Sequence, residues 1–489
     1  MILKRGWRSS SGGDLRLVRR AVPVSRKIGN QMRKRNRGSV PNKRVLIVSY
    51  RFPPDSTAGS VRVSQFVRWL PSYGWEPYVL TCIPSEYAPQ GLESPVSEDH
   101  IIRTLSRNYM GNLKQEIYRM IKGEARISSE RTASVSTSMS NISRICDPFS
   151  EVRWPDYGLF WEKGAVQKGL TFLRDNPVDL IFSSSPPPSS HIVSSRIERR
   201  TGIPWVAEYR DPWSSHAMKR TSLMEKLERK YEKSVMSNAA AILTVSDTLS
   251  GDLKSLFPAR RNIHVIPNGY DPGAYYRYTD ADAHKLTVTY TGIIYSAYRI
   301  EPFFISLRKL VDEGFITRDC LEINFYGKDS HAVTDAARKY FLSDAVMFRG
   351  RVPHAAVANI QMKSNLLLLF GWCGEGGKSI VTGKVFEYLA AGRPIICFGP
   401  GGDEIERLLY ETRGGVYCTS EKATYDTLKK WIGEWKETGT IDHQPRWDRI
   451  MTYSRERQTE TLAGIFDKVM EEAAEAVTRG KEQGSTRAI

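Results

Sequence analysis

Cysteine is scarce in this chain: six among 489 residues (Cys82, Cys146, Cys320, Cys373, Cys397, Cys418), none in a CxxC pair. That excludes a disulfide framework and the usual zinc-ligand spacings, and it predicts reduced, structural thiols. None of the eight histidines forms a His-Glu-x-x-His motif, so no metal is expected. No run approaches the roughly twenty apolar residues that span a bilayer, and the N-terminus lacks the apolar stretch of a signal peptide. A cytoplasmic location is therefore expected. Acidic residues are nearly missing from positions 1–44, where Asp14 faces 14 Lys and Arg, so this segment holds most of the formal +17 charge. The first strand-helix unit also lacks Gly-x-Gly-x-x-Gly, which argues against a dinucleotide dehydrogenase.

What the chain does have is length. At 489 residues with 40% hydrophobic content it exceeds what one core organises, and it predicts two domains plus tails. The basic N-terminal tail carries Trp7, Leu15, Leu17 and Val18 among its cations. It suits an anionic membrane surface, where each cation near the headgroups adds about 1 kcal/mol. Disorder or nonspecific nucleic-acid binding fits the same composition. No reader motif occurs elsewhere, so no specific nucleic-acid partner is expected.

Residues 44–49 (Arg-Val-Leu-Ile-Val-Ser) fit a buried parallel strand. A loop over 50–60 leads into an amphipathic helix carrying Val63, Phe66, Val67 and Leu70, and a strand follows at 77–82. This strand, loop, helix, strand unit is of the doubly wound kind, whose ligands collect at the carboxyl ends of the strands. Gly59 and Ser60 lie where backbone N–H groups can meet a phosphate. The stretch 104–150 is polar and rich in Ser and Arg, and reads as an insertion. Order resumes with a strand at 178–182, a loop at 183–191 and a second strand within 203–213. Their polar residues gather at the C-terminal ends, making His191, Arg210 and Asp211 cleft candidates, although an Asp before Pro is more often a turn residue. A helix around 222–237 and strands at 239–245 and 263–266 complete the sheet, and Pro267-Asn-Gly-Tyr-Asp-Pro272 supplies the turn signals of a domain boundary. A second alternating set runs from 286 to 370 and predicts another parallel sheet covered by helices. Two such α/β domains enclose a cleft, the usual place for a substrate.

The segment 383–394 reads Gly-Lys-Val-Phe-Glu-Tyr-Leu-Ala-Ala-Gly-Arg-Pro. It predicts a short apolar helix that Gly392 and Pro394 terminate, with Lys384 and Glu387 near its start. A glycine-rich loop from Gly371 to Gly377 precedes it and an apolar strand at 394–398 follows. On its own Glu387 is most simply a solvated or capping carboxylate. Beside a loop that lets a ligand approach the backbone, and a helix start that offers N–H groups to phosphate, it is placed to bind a sugar diol. The combination suits a nucleotide sugar.

Together these segments resemble glycosyltransferase family 4, the retaining, nucleotide-sugar-dependent type with a GT-B fold of two Rossmann-like domains. The matching stretches are 45–68 with Phe-Pro-Pro and Ala-Gly, 179–213 with Ser-Pro-Pro and Tyr-Arg-Asp-Pro-Trp, 265–271, and 384–394. The resemblance implies a basic tail at 1–43 and an acceptor-side domain at 44–267, followed by a nucleotide-sugar-binding domain at 268–445. A helix at 446–470 would return to the N-terminal domain, leaving 471–489 as a tail. It further implies that Glu387 binds the donor ribose, that Gly59 and Ser60 lie beside the donor diphosphate, and that Arg299 and Lys328 neutralise it. Arg351 and Val352 would contact the base, and His191 and Asp211 would face a glycan or lipid-linked acceptor. No cofactor is implied beyond the donor itself, and the reaction would be metal-independent.

Two positions depart from the family pattern. The first acid of its two-Glu signature is replaced by Ser379, and the upstream cation of the diphosphate pair by Ile293. Glu375, Gly376 and Gly377 are the nearest substitutes for the missing acid. The expected activity is sugar transfer to a cell-surface glycan or lipid-linked acceptor at the cytoplasmic membrane face. A catalytically degenerate scaffold and a nucleotide-sugar epimerase of the same fold are the alternatives.

Overall fold

The structure, a computed structural model, describes residues 43–84, 90–106, 156, 158–214, 222–275, 284–328, 330–374 and 381–485. The expectations for the basic tail before Lys43 and for the insertion beyond residue 106 lie outside the described residues.

The N-terminal half alternates strands and helices: β1 (Lys43–Ser49), α1 (Ala58–Trp69), β2 (Trp75–Cys82), β3 (Ile101–Thr104), α2 (Leu159–Asp175), β4 (Leu180–Ser185) and α3 (Ser189–Thr201). It continues with β5 (Trp205–Tyr209), α4 (Ser222–Met236), β6 (Ala241–Thr244), α5 (Asp247–Leu256) and β7 (Ile263–Val265). The strands form one parallel sheet in the order β3-β2-β1-β4-β5-β6-β7. Parallel strands are buried on both faces, which is why β1 reads as an unbroken apolar run. Val45, Ile47, Phe182 and Val206 look to one side, with Phe66 and Val67 of α1; Leu46, Val48, Ile181 and Ala207 look to the other, with Ile192 and Ile197 of α3.

The second half repeats the plan with β8 (Leu286–Thr291), α6 (Glu301–Asp312), β9 (Leu321–Tyr326), α7 (His331–Lys339), β10 (Val346–Gly350), α8 (His354–Met362) and β11 (Leu366–Phe370). Then come α9 (Gly383–Ala391), β12 (Ile395–Phe398), α10 (Glu404–Thr412), β13 (Gly415–Cys418), α11 (Glu421–Thr438), α12 (Trp447–Ile450) and α13 (Arg455–Ser485). Its parallel sheet has the order β10-β9-β8-β11-β12-β13. Both sheets reverse strand order once, at β1/β4 and at β8/β11. In open α/β sheets the crevice at such a reversal is where ligands bind.

The last helix leaves the second half and closes the first. Leu462, Ala463, Phe466 and Val469 of α13 are buried in the core of the N-terminal sheet, where the Phe466 ring meets Trp75 edge-on at 5.2 Å. Burying a side chain of that size contributes about 2–3 kcal/mol. Trp75 Nε1 donates to Asp467 at 3.0 Å, and Asp467 also pairs with Lys43. The helix runs on to Ser485, so the expectation of a tail from residue 471 is corrected. Alanine and glutamate dominate residues 471–476, and both are strong helix formers.

One further correction bears on the site. The stretch 183–191 is not a loop: Ser183, Ser184 and Ser185 extend β4, and His191 lies on α3. The three serines look like turn residues in sequence, but all are buried. The Ser184 hydroxyl donates to Glu208 at 2.7 Å, and Ser183 accepts from Trp205 Nε1 at 2.8 Å.

Candidate active site

On the N-terminal side of the cleft, β1, β4 and β5 are neighbours, so the segments leaving their carboxyl ends converge. After β5 comes Arg210, half-buried, with Nε donating to Ser185 O and Nη2 to Pro186 O, each at 3.0 Å. Its guanidinium lies across the first turn of α1 at Gly59. A Cβ on Gly59 would collide with Arg210 Nη1 and would stand 2.6 Å from Nη2 and 2.9 Å from Cζ. Glycine is required there because a side chain and a backbone share the space. One turn further along α1, Arg62 is 1% exposed and pairs with Glu208 of β5, which is fully buried. Arg62 Nε donates to Glu208 Oε1 at 2.9 Å, and its Nη1 and Nη2 donate to Pro267 O and Ile266 O, each at 2.7 Å.

His191 is fully buried among Trp205, Tyr209 and Trp213, with its Nδ1 2.8 Å from Ser183 Oγ. Burial, reinforced by repulsion from Arg210, pushes its pKa down from 6.5 to about 3. The ring is therefore neutral and enclosed rather than exposed, with Nε2 meeting no hydrogen-bond partner among the described residues. The sign of its pH effect follows. The unfolded chain protonates this ring below pH 6.5 and the folded one does not, so the stability tied to it is present above 6.5 and lost as the pH falls toward 3. His264 and half-buried His443, also depressed chiefly by burial, act in the same direction. His191→Gln is expected to flatten the acid limb of a melting-temperature profile between pH 7 and 4, by up to about 1.4 kcal/mol per pH unit.

Across the cleft, the carboxyl ends of β10, β9, β8 and β11 lie side by side. Gly292 follows β8 with φ +126°, and Gly327 follows β9 with φ +141°. At both positions the missing Cβ matters. One on Gly327 would strike the Gly292 carbonyl; one on Gly292 would strike the Lys384 side chain, which crosses it with Nζ 5.5 Å from the Tyr290 ring centroid. Gly292→Ala is expected to cost about 1–3 kcal/mol through the forbidden backbone alone, seen as a melting midpoint several degrees lower.

Lys384 stands in the first turn of α9. That helix begins where Thr382 is extended and ends where Gly392 turns left-handed at φ 67°, burying Val385, Phe386, Tyr388 and Leu389. Among the described residues its first turn holds no acidic residue, and the Thr382 hydroxyl is buried without a partner there, so none of them offsets the positive helix end. Burial lowers the Lys384 pKa while Glu387 pulls it back up. Glu387 is half-buried on the next turn. Gln361 Nε2 lies 3.5 Å from Glu387 Oε2 and donates to Thr291 Oγ1 at 3.1 Å, and Tyr275 Oη donates to Gln361 Oε1 at 2.7 Å. Thr291 N in turn donates to Tyr388 Oη at 2.8 Å. This network fixes the carboxylate from behind and ties α8, α9 and the end of β8 into one rigid wall.

The two halves meet at the connector 266–271. Asn268 O accepts from Gln458 Nε2 at 2.9 Å, and Tyr270 exchanges backbone bonds with Tyr453 and Arg455. Arg455, 6% exposed, donates to Gln458 Oε1 at 3.0 Å. Burial, then repulsion from Arg62 and Arg210, lowers its pKa against the pull of Glu208 and Glu387; an arginine nevertheless stays charged. Charged groups of both domains therefore share one electrostatic neighbourhood at the hinge.

Residues 130–274 match the model of the family described as Glycosyltransferase Family 4. A comparison with curated protein sequences finds no match. Among solved structures, sucrose-phosphate synthase from Thermosynechococcus elongatus aligns with a TM-score of 0.56 at 12% identity, over 88% of this chain and 100% of that one. The α,α-trehalose 6-phosphate synthase of Burkholderia multivorans aligns at 0.53 and 10% identity, over 88% and 100%. A glycosyltransferase from Rickettsia africae aligns at 0.50 and 12%, over 88% and 99%. The fold is GT-B.

In this GT-B chain Gly59 and Ser60 are buried in the first turn of α1, and Lys384 and Glu387 stand together on α9. Arg299, Lys328 and Arg351 are exposed, Val352 is half-buried, and all four follow the carboxyl ends of β8, β9 and β10 on the rim that also carries Gly292. Asp211 is exposed beyond β5. Ile293, in the place of the expected cation, is 43% exposed. Glu375, Gly376, Gly377 and Ser379 lie outside the described residues. Sequence reasoning missed Gln361, Tyr275 and the Arg62–Glu208 pair. Gln361 and Tyr275 have no local signature; their roles come from meeting Glu387 across 26 and 112 positions of chain. Among the described residues no helix is long and apolar enough to cross a membrane, and no three ligating side chains gather as a metal site would require.

Proposed function

We propose that the protein is a family 4 glycosyltransferase that moves a sugar from a nucleotide-sugar donor to a glycan or lipid-linked acceptor, with retention of configuration and without a metal. The observation that carries this reading is Glu387, a carboxylate braced by Gln361 beside a lysine in the first turn of a helix, on the rim of a strand-order reversal. In this reading Glu387 accepts from the two ribose hydroxyls. The diphosphate lies against the first turn of α9, near Lys384, with Arg299 and Lys328 on the same rim. As the sugar–oxygen bond breaks, charge builds on the leaving phosphate, and those fixed dipoles and cations stabilise it. The acceptor hydroxyl enters from the N-terminal domain on the face the diphosphate leaves. The N-terminal basic segment favours an acceptor at an anionic membrane surface.

The test is release of nucleoside diphosphate from uridine-, guanosine- and adenosine-diphosphate sugars, with and without a lipid extract as acceptor source. Acceptor-dependent release supports transfer. Sugar interconversion without acceptor would instead indicate an epimerase. No turnover of any donor would favour the binding scaffold.

A further inference from the structure

The strand order β10-β9-β8-β11 also orders the rim above it. Arg351 and Val352 follow β10, Lys328 follows β9, Gly292 and Arg299 follow β8, and Trp372 follows β11. With the base on Arg351 and Val352, a donor laid along this row carries its diphosphate over β8 and its sugar onward to the β8/β11 reversal, where ligands of open α/β sheets collect. Two aromatic side chains stand there, one from each side of the reversal. Tyr295, in the segment after β8, meets Trp372 with ring centroids 5.8 Å apart and planes tilted by 53°. Tyr295 is 43% exposed and Trp372 is half-buried.

An exposed tyrosine on a connecting segment is ordinarily free to swing, but this one is packed from behind. Tyr298, 9% exposed, meets Tyr295 edge-on at 5.5 Å and Trp372 edge-on at 6.1 Å, and stacks on Phe370 of β11 at 5.7 Å. Cys373 N donates to Ala297 O at 3.1 Å, tying the segment after β11 to the one after β8, and Tyr290 Oη donates to Ile293 O at 2.8 Å. The Tyr290 ring also meets Phe370 at 5.3 Å and carries Lys384 Nζ at 5.5 Å from its centroid. The lysine assigned to the diphosphate and the exposed aromatic pair therefore share one wall. Ile293, 43% exposed, adds apolar surface to the segment after β8.

We propose that Tyr295 and Trp372 form the platform on which the donor's sugar ring rests, and so set which sugars the site accepts. This rests on the nucleotide-sugar reading of the site. A pyranose presents a face of C–H groups that packs on an aromatic ring, and rings already held in place lose little freedom when a ligand arrives. Glu387 and the cations of the rim recognise what all sugars of one nucleotide share. The aromatic pair touches the part that differs.

The experiment is calorimetric titration of uridine diphosphate, UDP-glucose, UDP-N-acetylglucosamine, guanosine diphosphate, GDP-mannose, adenosine diphosphate and ADP-glucose into the full-length protein, Tyr295→Ala, Tyr295→Phe, Trp372→Leu and Glu387→Ala. The expected result is an affinity for the nucleotide sugar at least tenfold lower in Tyr295→Ala and Trp372→Leu, with affinity for the parent diphosphate unchanged and Tyr295→Phe close to wild type. Tyr295 is exposed, so its variants serve if Trp372→Leu fails to fold. Glu387→Ala should weaken diphosphate and nucleotide sugar alike. Wild-type affinity for the nucleotide sugar in Tyr295→Ala, with Glu387→Ala still defective, overturns the platform and leaves the nucleotide site standing. An equal loss of diphosphate and nucleotide sugar in Tyr295→Ala also overturns it, by placing the base or the phosphates on these rings. So does a wild type that binds a diphosphate but none of its sugar conjugates. A wild-type protein that binds none of these nucleotides overturns both the platform and the nucleotide-sugar reading.

Discussion

Arg62→Met is expected to destabilise the protein by about 3–5 kcal/mol, because it strands the fully buried Glu208 carboxylate without its countercharge. The loss is larger than for an ordinary core substitution because Arg62 serves four partners: Glu208 on β5, and in the interdomain connector the carbonyls of Ile266 and Pro267 and, at 3.5 Å, Asn268 Oδ1. Ser184 continues to donate to the other carboxylate oxygen at 2.7 Å, but a hydroxyl does not replace a charge. Thermal unfolding should show a midpoint lower by roughly 10 °C. Removing both charges with Arg62→Met and Glu208→Leu together should cost less than Arg62→Met alone, since paired buried ions are often replaceable by apolar groups of similar size. A double variant as unstable as the sum of the singles would show that the pair is not coupled.

Glu387→Ala should lower kcat/KM for the donor by about 100-fold, the equivalent of about 3 kcal/mol for two hydroxyl bonds to a charged acceptor. The fold should survive, because Glu387 is half-buried and the apolar face of α9 is carried by Val385, Phe386, Tyr388 and Leu389. Gln361→Ala should give a smaller loss, since Gln361 braces the carboxylate without being placed to bind the ribose itself. Kinetics on donor concentration decide between them, and an unaltered kcat/KM in Glu387→Ala would remove this residue from the site.

How much of this was legible from the sequence depends on how local each signal is. The strand β1 and the helix α9 were, because an apolar run and a Gly–Pro stop are written in adjacent residues. The end of β4 was not. Its serines mimic a turn, and only the Trp205 indole and Glu208, more than twenty positions away, show why hydroxyls belong in that strand. His191 was drawn toward the cleft for the same reason, being counted from a loop rather than a helix. Glu387 stood out by its setting, whereas Gln361 and Tyr275 sit in unremarkable sequence and gain meaning only through contact. The Arg62–Glu208 bond spans 146 positions, and no periodicity reports it. The two-domain plan was readable because strand and helix alternate in both halves. The length of α13 was not, because charged residues past 470 look like a tail until helix propensity is weighed.

The measurement that bears most directly on a nucleotide-sugar site is the melting midpoint of the purified protein in the presence of uridine, guanosine, adenosine, cytidine and thymidine diphosphates. A ligand at a hundred times its dissociation constant adds about 2.7 kcal/mol to the folded state, which raises the midpoint by several degrees. The account predicts such a rise for one base, diminished in Glu387→Ala. No rise with any of the five would contradict it.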